Sequence, residues 1–486
     1  MNDATTRLQP NAVWTHFEEL NAVPRPSKKE GRVIEFMKQF GEGLNLETIV
    51  DEIGNVIIRK PATPGMEDRQ GVILQGHLDM VHQKNADTVF DFETEGIRSV
   101  ITEDGWLTAE GTTLGADNGM GVASIMAVLS ATDIEHGQVE ALFTIDEETG
   151  MTGAFKLQPG ILTGSILLNT DTEDEGELCI GCAGGIDTNI KTNYEQIPAG
   201  EGVTFKVSVK GLRGGHSGCE IHLGRGNANK IMNRLLWEGS QNFGLRIASL
   251  DGGSLRNAIP RESFAIVVVD SDQVDHFKKH IAKTIGVIQT ELIRTEPDLM
   301  ASLEPASPVE TVMDSTSQEN LIRAIYAAPC GVARMSDEMP GLVETSTSLA
   351  RVLIESGTVL VQFLTRSSVE TARDDLARTI QSAFQLAAAD VQHTGGYPGW
   401  KPNADSEILR QMTQIYSDLF GVEPTVNAVH AGLECGIIGS VYPGLDMISF
   451  GPTIKNPHSP DEKCEIASVK KYWDYLVATL RQIPKK

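Results

Sequence analysis

Several acids and histidines in this chain have the types and placing that metal-assisted hydrolysis requires. His77-Leu78-Asp79 follows the apolar run 72–74. Residues two apart in an extended segment face the same side, so one imidazole and one carboxylate can share a site. Asp79 could accept the second N–H of His77 or orient a neighbouring ligand, which fixes tautomer and ring plane. Asp146-Glu147-Glu148-Thr149-Gly150 follows the apolar strand 141–145. Three adjacent acids repel one another unless a solvated turn or a cation relieves them. With a cation, Glu147 and Glu148 could divide the tasks of metal ligand and general base. Asp171 follows a further apolar strand, 166–168, and His458 stands in Asn456-Pro457-His458-Ser459-Pro460, where two prolines stiffen the backbone. Asp117 lies in Gly111-Thr112-Thr113-Leu114-Gly115-Ala116-Asp117-Asn118-Gly119, a small-residue loop before the apolar run 122–129.

Each group has an ordinary reading of its own: a solvated turn, a structural histidine, or a glycine loop that cradles phosphate. The phosphate pattern needs Lys followed by Ser or Thr, and Asp117-Asn118 stands in that place. The coincidence of strand-end groups is what points to a metal centre. Two histidines and three carboxylates form a mixed nitrogen and oxygen set that suits zinc, with manganese or cobalt as substitutes. Two ions sharing Asp117, about 3.5 Å apart, would hold a hydroxide between them for hydrolysis.

The elements that must position these groups alternate between helix and strand. Periodicity predicts helices over 13–20 and 28–40, with Ser27 capping the second, and strands over 46–51, 56–60 and 72–75. Helices over 119–129 and 153–157 and strands over 139–145 and 166–169 follow. This is an α/β arrangement, a mixed sheet sandwiched by helices. From about 185 the texture changes. Asn257-Ala258-Ile259-Pro260 leads into a strand, 264–269, and a helix, 274–292; Thr347-Ser348-Leu349-Ala350 leads into strands ending at 359–364 and a helix, 370–388. The reading is an inserted, internally duplicated α+β domain. Gly395 to Pro402 reads as a hinge. The α/β texture then resumes with a helix over 406–420, a strand over 447–450 and a helix over 466–483. The expected domains are 1–186 with 397–486, and 187–396 between them.

The balance of 41 basic and 66 acidic residues in 486, a net charge of -25, disfavours nucleic acid and anionic membranes as partners. A small-molecule substrate fits better. Residues 1–10 have no basic and apolar leader pattern, no long apolar span occurs, and the six cysteines are scattered, all of which predicts the cytoplasm. Cys179 and Cys182 have redox spacing but no second pair or flanking signature, so packing is the expected role.

Gln75-Gly76-His77-Leu78-Asp79-Met80-Val81, Gly115-Ala116-Asp117-Asn118-Gly119, Asp146-Glu147-Glu148-Thr149-Gly150 and Asn169-Thr170-Asp171 resemble the co-catalytic zinc metallopeptidases that include carboxypeptidase G, the aminoacylases and carnosinase. Leu212-Arg213-Gly214-Gly215-His216-Ser217-Gly218, Leu255-Arg256-Asn257-Ala258-Ile259-Pro260-Arg261 and His430-Ala431-Gly432-Leu433-Glu434-Cys435-Gly436 extend the resemblance almost end to end, closest to dipeptidases of that family. It implies a metallodipeptidase that hydrolyses unblocked dipeptides, Xaa-His and others. It further implies two zinc ions: His77 and Asp171 on one, Glu148 and His458 on the other, Asp117 bridging both and followed by a cis peptide. Glu147 would be the general base and Asp79 would orient His77. In the insert, acting as a lid, His216 would polarise the scissile carbonyl, while Asn257, Arg366 and Gly432 would hold the substrate's carboxylate. A duplicated lid could supply His216 within one chain, so a homodimer is possible but not required. The alternatives are an N-acyl amino-acid deacylase or tripeptidase with the same metals, and a non-catalytic metal-binding scaffold.

Overall fold

The strand Val72–His77 is buried at every position because it has parallel neighbours on both sides, Val139–Thr144 and Ile166–Asn169, with helices over the faces. A strand so enclosed reads as a continuous apolar run. In the computed structural model, which describes residues 5–486, these three strands are the centre of an eight-stranded mixed sheet. Its order is Glu47–Val50, Val56–Lys60, Val139–Thr144, Val72–His77, Ile166–Asn169, Asp446–Ser449, Glu177–Cys182 and Thr425–Val429. The helix Ala116–Ser130 is buried along nearly its whole length, which explains why it is apolar all round. The expectation about the N-terminus reaches into residues 1–4, which lie outside the described residues.

The chain divides into two compact units. The first runs to Gly181 and resumes over Pro402–Ala428 and Leu433–Lys486; the second comprises Cys182–Lys401 and Val429–Gly432. The second unit therefore begins and ends slightly outside the expected 187–396. The cause is pairing: the strand Gly184–Asn193 forms a ladder with Asp390–Tyr397, and Ala183 donates to the carbonyls of Val429 and Ala431.

The second unit is built on one nine-stranded antiparallel sheet with two halves of like topology. Val203–Lys210, Ala228–Phe243, Arg246–Gly252, Ser263–Val269, Val274–Leu292 and Met300–Pro305 run β-α-β-β-α-β, with strands ordered fourth, first, third, second. Gly184–Asn193, Ser315–Ala327, Val343–Glu355, Thr358–Ser367, Glu370–Gln385 and Asp390–Tyr397 repeat that order. The first copy is nested inside the second, after its first strand. The sheets join where Leu250 pairs with Ile354.

Two local expectations are corrected. The second helix starts at Gly31, not at Lys28, and Ser27 does not cap it: its hydroxyl donates to Asp79 Oδ2 at 2.8 Å, and Lys28 adopts a positive φ. The supposed hinge starts inside a strand, where Gly395 and Gly396 form a register shift between Thr394 and Tyr397. The glycines there shape a bulge.

Candidate metal centre

Each predicted ligand of the first unit follows an element that holds it in place. His77 ends its strand. Glu147 and Glu148 form the first turn after Val139–Thr144, with Asp146 before them at φ 52°. Asp171 follows Ile166–Asn169, its backbone N–H donating to Asn169 Oδ1. His458 lies between Ile454–Lys455 and Lys463–Glu465, which pair with each other and so close its loop.

Asp117 has the most elaborate support. The Glu462 carboxylate accepts the backbone N–H groups of Leu114, Gly115, Ala116 and Asp117 at 2.8, 3.0, 2.7 and 3.2 Å. From the other side the buried Arg25 donates to the carbonyls of Gly115, Leu78 and Asp79. A Cβ at Gly115 or Gly119 would collide with that guanidinium, so the two glycines make room for Arg25. The peptide bond between Asp117 and Asn118 is cis, and the Asn118 amide donates to the Thr170 carbonyl.

These elements bring the five predicted ligands together as two groups that share Asp117. Asp117 Oδ1 lies 3.1 Å from His77 Nε2, which is also 3.3 Å from Asp171 Oδ1. Asp117 Oδ2 lies 3.2 Å from His458 Nε2, which is 2.9 Å from Glu148 Oε2. The donor atoms of each triad lie within 4.8 Å of one another, and so do those of His77, Glu147 and Glu148. His458 is the exposed member, with 53% of its side chain accessible. Asp79 borders both His77 and the neighbouring acids Glu147 and Glu148. His77 Nδ1 is nearer its backbone oxygen, 3.2 Å, than its carboxylate, 3.5 Å. The carboxylate instead accepts from the backbone of Glu147 and Glu148 and from Ser27.

The electrostatics ask for positive charge. Hydrogen bonds to Asp117 and Glu148 push His458 up to about 11. Burial opposes a charged His77, yet Asp171, Asp117 and Asp79 raise it well above the usual range. Burial, then the Asp117 and Glu148 charges, push Asp171 up to about 7. Glu147 is raised well above its ordinary value by burial first, with Asp171, Glu434 and Glu148 adding to it against His77. Glu148 Oε1 is buried with no hydrogen-bond partner. Two imidazole nitrogens, crowded carboxylates and an orphaned oxygen fit a pair of divalent cations.

The second unit gathers a different set. His216 Nδ1 accepts the backbone N–H groups of Gly218 and Cys219 at 3.2 and 3.0 Å, so the neutral ring carries its proton on Nε2. That Nε2 is 3.5 Å from Arg366 Nη2. Two donors thus face each other, an arrangement that suits a shared oxygen acceptor. Arg366 is 4% exposed, donates to the Tyr397 hydroxyl at 2.8 Å and leaves Nε without a partner. The Asn257 backbone is tied to the His216 loop through Ser217 N–H at 2.7 Å, while its side chain is exposed. Gly432 closes the short segment 429–432, next to His430, whose ring bonds Ser346 at 2.7 Å.

Sequence reasoning did not single out Arg25, Glu462, Tyr397 or Glu434 for the site. Glu434, 3% exposed, accepts from Gln75 at 2.7 Å and Thr144 at 2.6 Å beneath His77. Arg25 sits between prolines that read as a breaker, and Glu462 in a polar loop; only their distant partners give them meaning.

Residues 73–482 match Peptidase family M20/M25/M40. Over 483 residues, 99% of each chain, the sequence is 43% identical to the Cytosol non-specific dipeptidase of Escherichia coli (strain K12). The crystal structure of aminoacylhistidine dipeptidase from Vibrio alginolyticus is 46% identical, with a TM-score of 0.94 over 100% of this chain and 99% of that one. A tripeptidase from Staphylococcus aureus, 15% identical with a TM-score of 0.57, covers 98% of this chain and 99% of its own and shares the fold.

Proposed function

The chain belongs to peptidase family M20/M25/M40, and we propose that it hydrolyses the peptide bond of unblocked dipeptides, Xaa-His among them, with two metal ions. The observation that carries this reading is the division of Asp117 between two ligand groups, one oxygen to each. His77 and Asp171 would hold one ion and Glu148 and His458 the other. Zinc is the ion that donor set suits, with manganese or cobalt as substitutes. When bound, the pair supplies Lewis-acid polarisation of the scissile carbonyl and lowers the pKa of water at the site.

The chain's own residues do the rest. Glu147 takes the proton of the attacking water and returns it to the leaving amine. Asp79 holds Glu147 in place through its backbone N–H, and the same carboxylate borders His77. In the second unit, the lid of this reading, the Nε2–H of His216 donates to the developing oxyanion. Arg366, with Asn257 and the Gly432 backbone, takes the substrate's carboxylate, a role suited to a guanidinium fork. His216 and Arg366 both come from this chain, so the reading is compatible with a homodimer but needs none. A dipeptidase of this kind belongs in the cytoplasm; among the described residues no helix is long and apolar enough to cross a membrane.

The test is a panel of unblocked dipeptides, tripeptides and N-acetylated amino acids, with and without chelator. Dipeptides should be cleaved fastest, and chelation should abolish cleavage until zinc is restored. Faster turnover of acetylated amino acids would make the protein a deacylase, and no turnover of any metal-loaded sample would make it a scaffold.

A further inference from the structure

Within the sheet of the second unit, the bulge at Gly395 and Gly396 decides which side chain reaches Arg366. The strand Asp390–Tyr397 pairs Thr394 with Asp187, and that register continued would set Gly396 against Gly185. The extra residue sets Tyr397 there instead. On its other edge, the strand Gly184–Asn193 pairs the same Gly185 with Arg366. Arg366, Gly185 and Tyr397 thus stand in a row across three strands, and residues directly opposite one another share a face of the sheet. Gly185 has no side chain to separate the outer two: a Cβ there would stand 2.6 Å from Tyr397 Cε1, Cζ and Oη. The ring lies across the glycine, and its hydroxyl accepts from Arg366 Nη1 at 2.8 Å. Arg373 Nη1 donates to the Tyr397 carbonyl at 2.7 Å, which fixes the backbone just after the bulge.

We infer that Tyr397 is a positioning residue for carboxylate capture: by holding Nη1 it leaves the other edge of the Arg366 guanidinium, Nη2 and Nε, for the substrate's carboxylate. This rests on the dipeptidase reading, in which Arg366 takes that group. Arg366 is 4% exposed, yet among the described residues no carboxylate pairs with it; Asp187, on the same strand as Gly185, is held by Arg256. Nε has no partner, and Nη2 has only another donor, His216 Nε2, at 3.5 Å. That edge is one that can hold a carboxylate side-on, with one oxygen to each nitrogen. Gly218 makes room for it, since a Cβ there would lie 3.0 Å from Nε. A neutral phenol oxygen orients the fork without neutralising it, whereas a carboxylate in its place would compete with the substrate's own.

The test compares alanylhistidine with its C-terminal amide by steady-state kinetics on zinc-loaded protein. Wild type should have a KM for the free acid roughly 10- to 100-fold below that for the amide, the span of a hydrogen bond to a charged group. Tyr397→Phe keeps the ring and removes the acceptor. It should raise KM for the free acid by roughly 10-fold, with kcat and the KM of the amide nearly unchanged, the pattern of lost ground-state binding. Arg366→Lys keeps the charge and loses the fork; in that background Tyr397→Phe should add little, because the phenol acts through the guanidinium. If Tyr397→Phe leaves the free acid's KM unchanged, raises both KM values alike, fails to fold, or adds its full effect to that of Arg366→Lys, the assignment to Tyr397 is overturned while the dipeptidase reading stands. If wild type binds acid and amide equally, Arg366 is not the carboxylate's partner and the assignment falls with that role. If wild type cleaves neither, the dipeptidase reading itself fails.

Discussion

Asp117 and Glu147 are the residues whose substitution should separate holding metal from doing chemistry. Glu147→Gln keeps the shape of the side chain and removes its basicity, so both metals should remain bound while dipeptide hydrolysis falls roughly 100- to 10,000-fold. Elemental analysis beside steady-state kinetics reads both quantities, and full activity would remove Glu147 from the role of base. Asp117→Ala takes one oxygen from each triad, so both metals should be lost; retention of two ions would refute a shared ligand. At this scale much was legible. His77, Glu148 and Asp171 announce themselves as polar groups directly after apolar runs. Arg25 and Glu462 did not, because a buried charge is recognisable only through the distant groups that satisfy it.

Among the elements, the loop 114–117 owes its shape to a carboxylate almost 350 residues away in sequence. Glu462 is 2% exposed and satisfies four backbone N–H groups. Glu462→Ala leaves those donors buried and unpaired, at a cost of at least about 3 kcal/mol. The urea midpoint should fall accordingly, and metal affinity with it, since Asp117 is the last residue of that loop. An unchanged midpoint would mean that water replaces the carboxylate without loss. Strands and helices with clear periodicity, such as Val56–Lys60 and Val274–Leu292, could be read to the residue. Ser27 misled because its hydroxyl had a better acceptor in Asp79 than the helix could offer. The glycines at 395 and 396 misled because a bulge and a hinge draw on the same residue types.

For the whole molecule, all five predicted ligands lie in the first unit and none in the second. Zinc should therefore raise the thermal transition of the first unit, by about 2.7 kcal/mol for one ion at a hundred times its Kd, and leave that of the second in place. Equal shifts of both transitions in a calorimetric scan would contradict this. Acid should do the reverse. Burial, and then the charges of Arg366, His216 and His222, depress His430 in the second unit to about 3. Below about pH 6.5 the unfolded chain takes up a proton that the folded unit refuses, so stability is intact above that pH and declines as pH falls towards 3. One such group contributes at most about 1.4 kcal/mol per pH unit. His430→Gln should flatten that part of the curve, and an unaltered slope would show that His430 titrates freely.

The sequence by itself determined the residue types of the candidate site, the alternation of elements in the first unit and the presence of a second, differently built domain. All of these are encoded in short-range patterns: period, capping, and acids placed after apolar strands. Tertiary structure alone decided how Asp117 divides its two oxygens between His77 and His458. It also decided that one copy of the β-α-β-β-α-β motif sits inside the other. These depend on contacts between residues far apart along the chain, and no local pattern constrains where such partners meet.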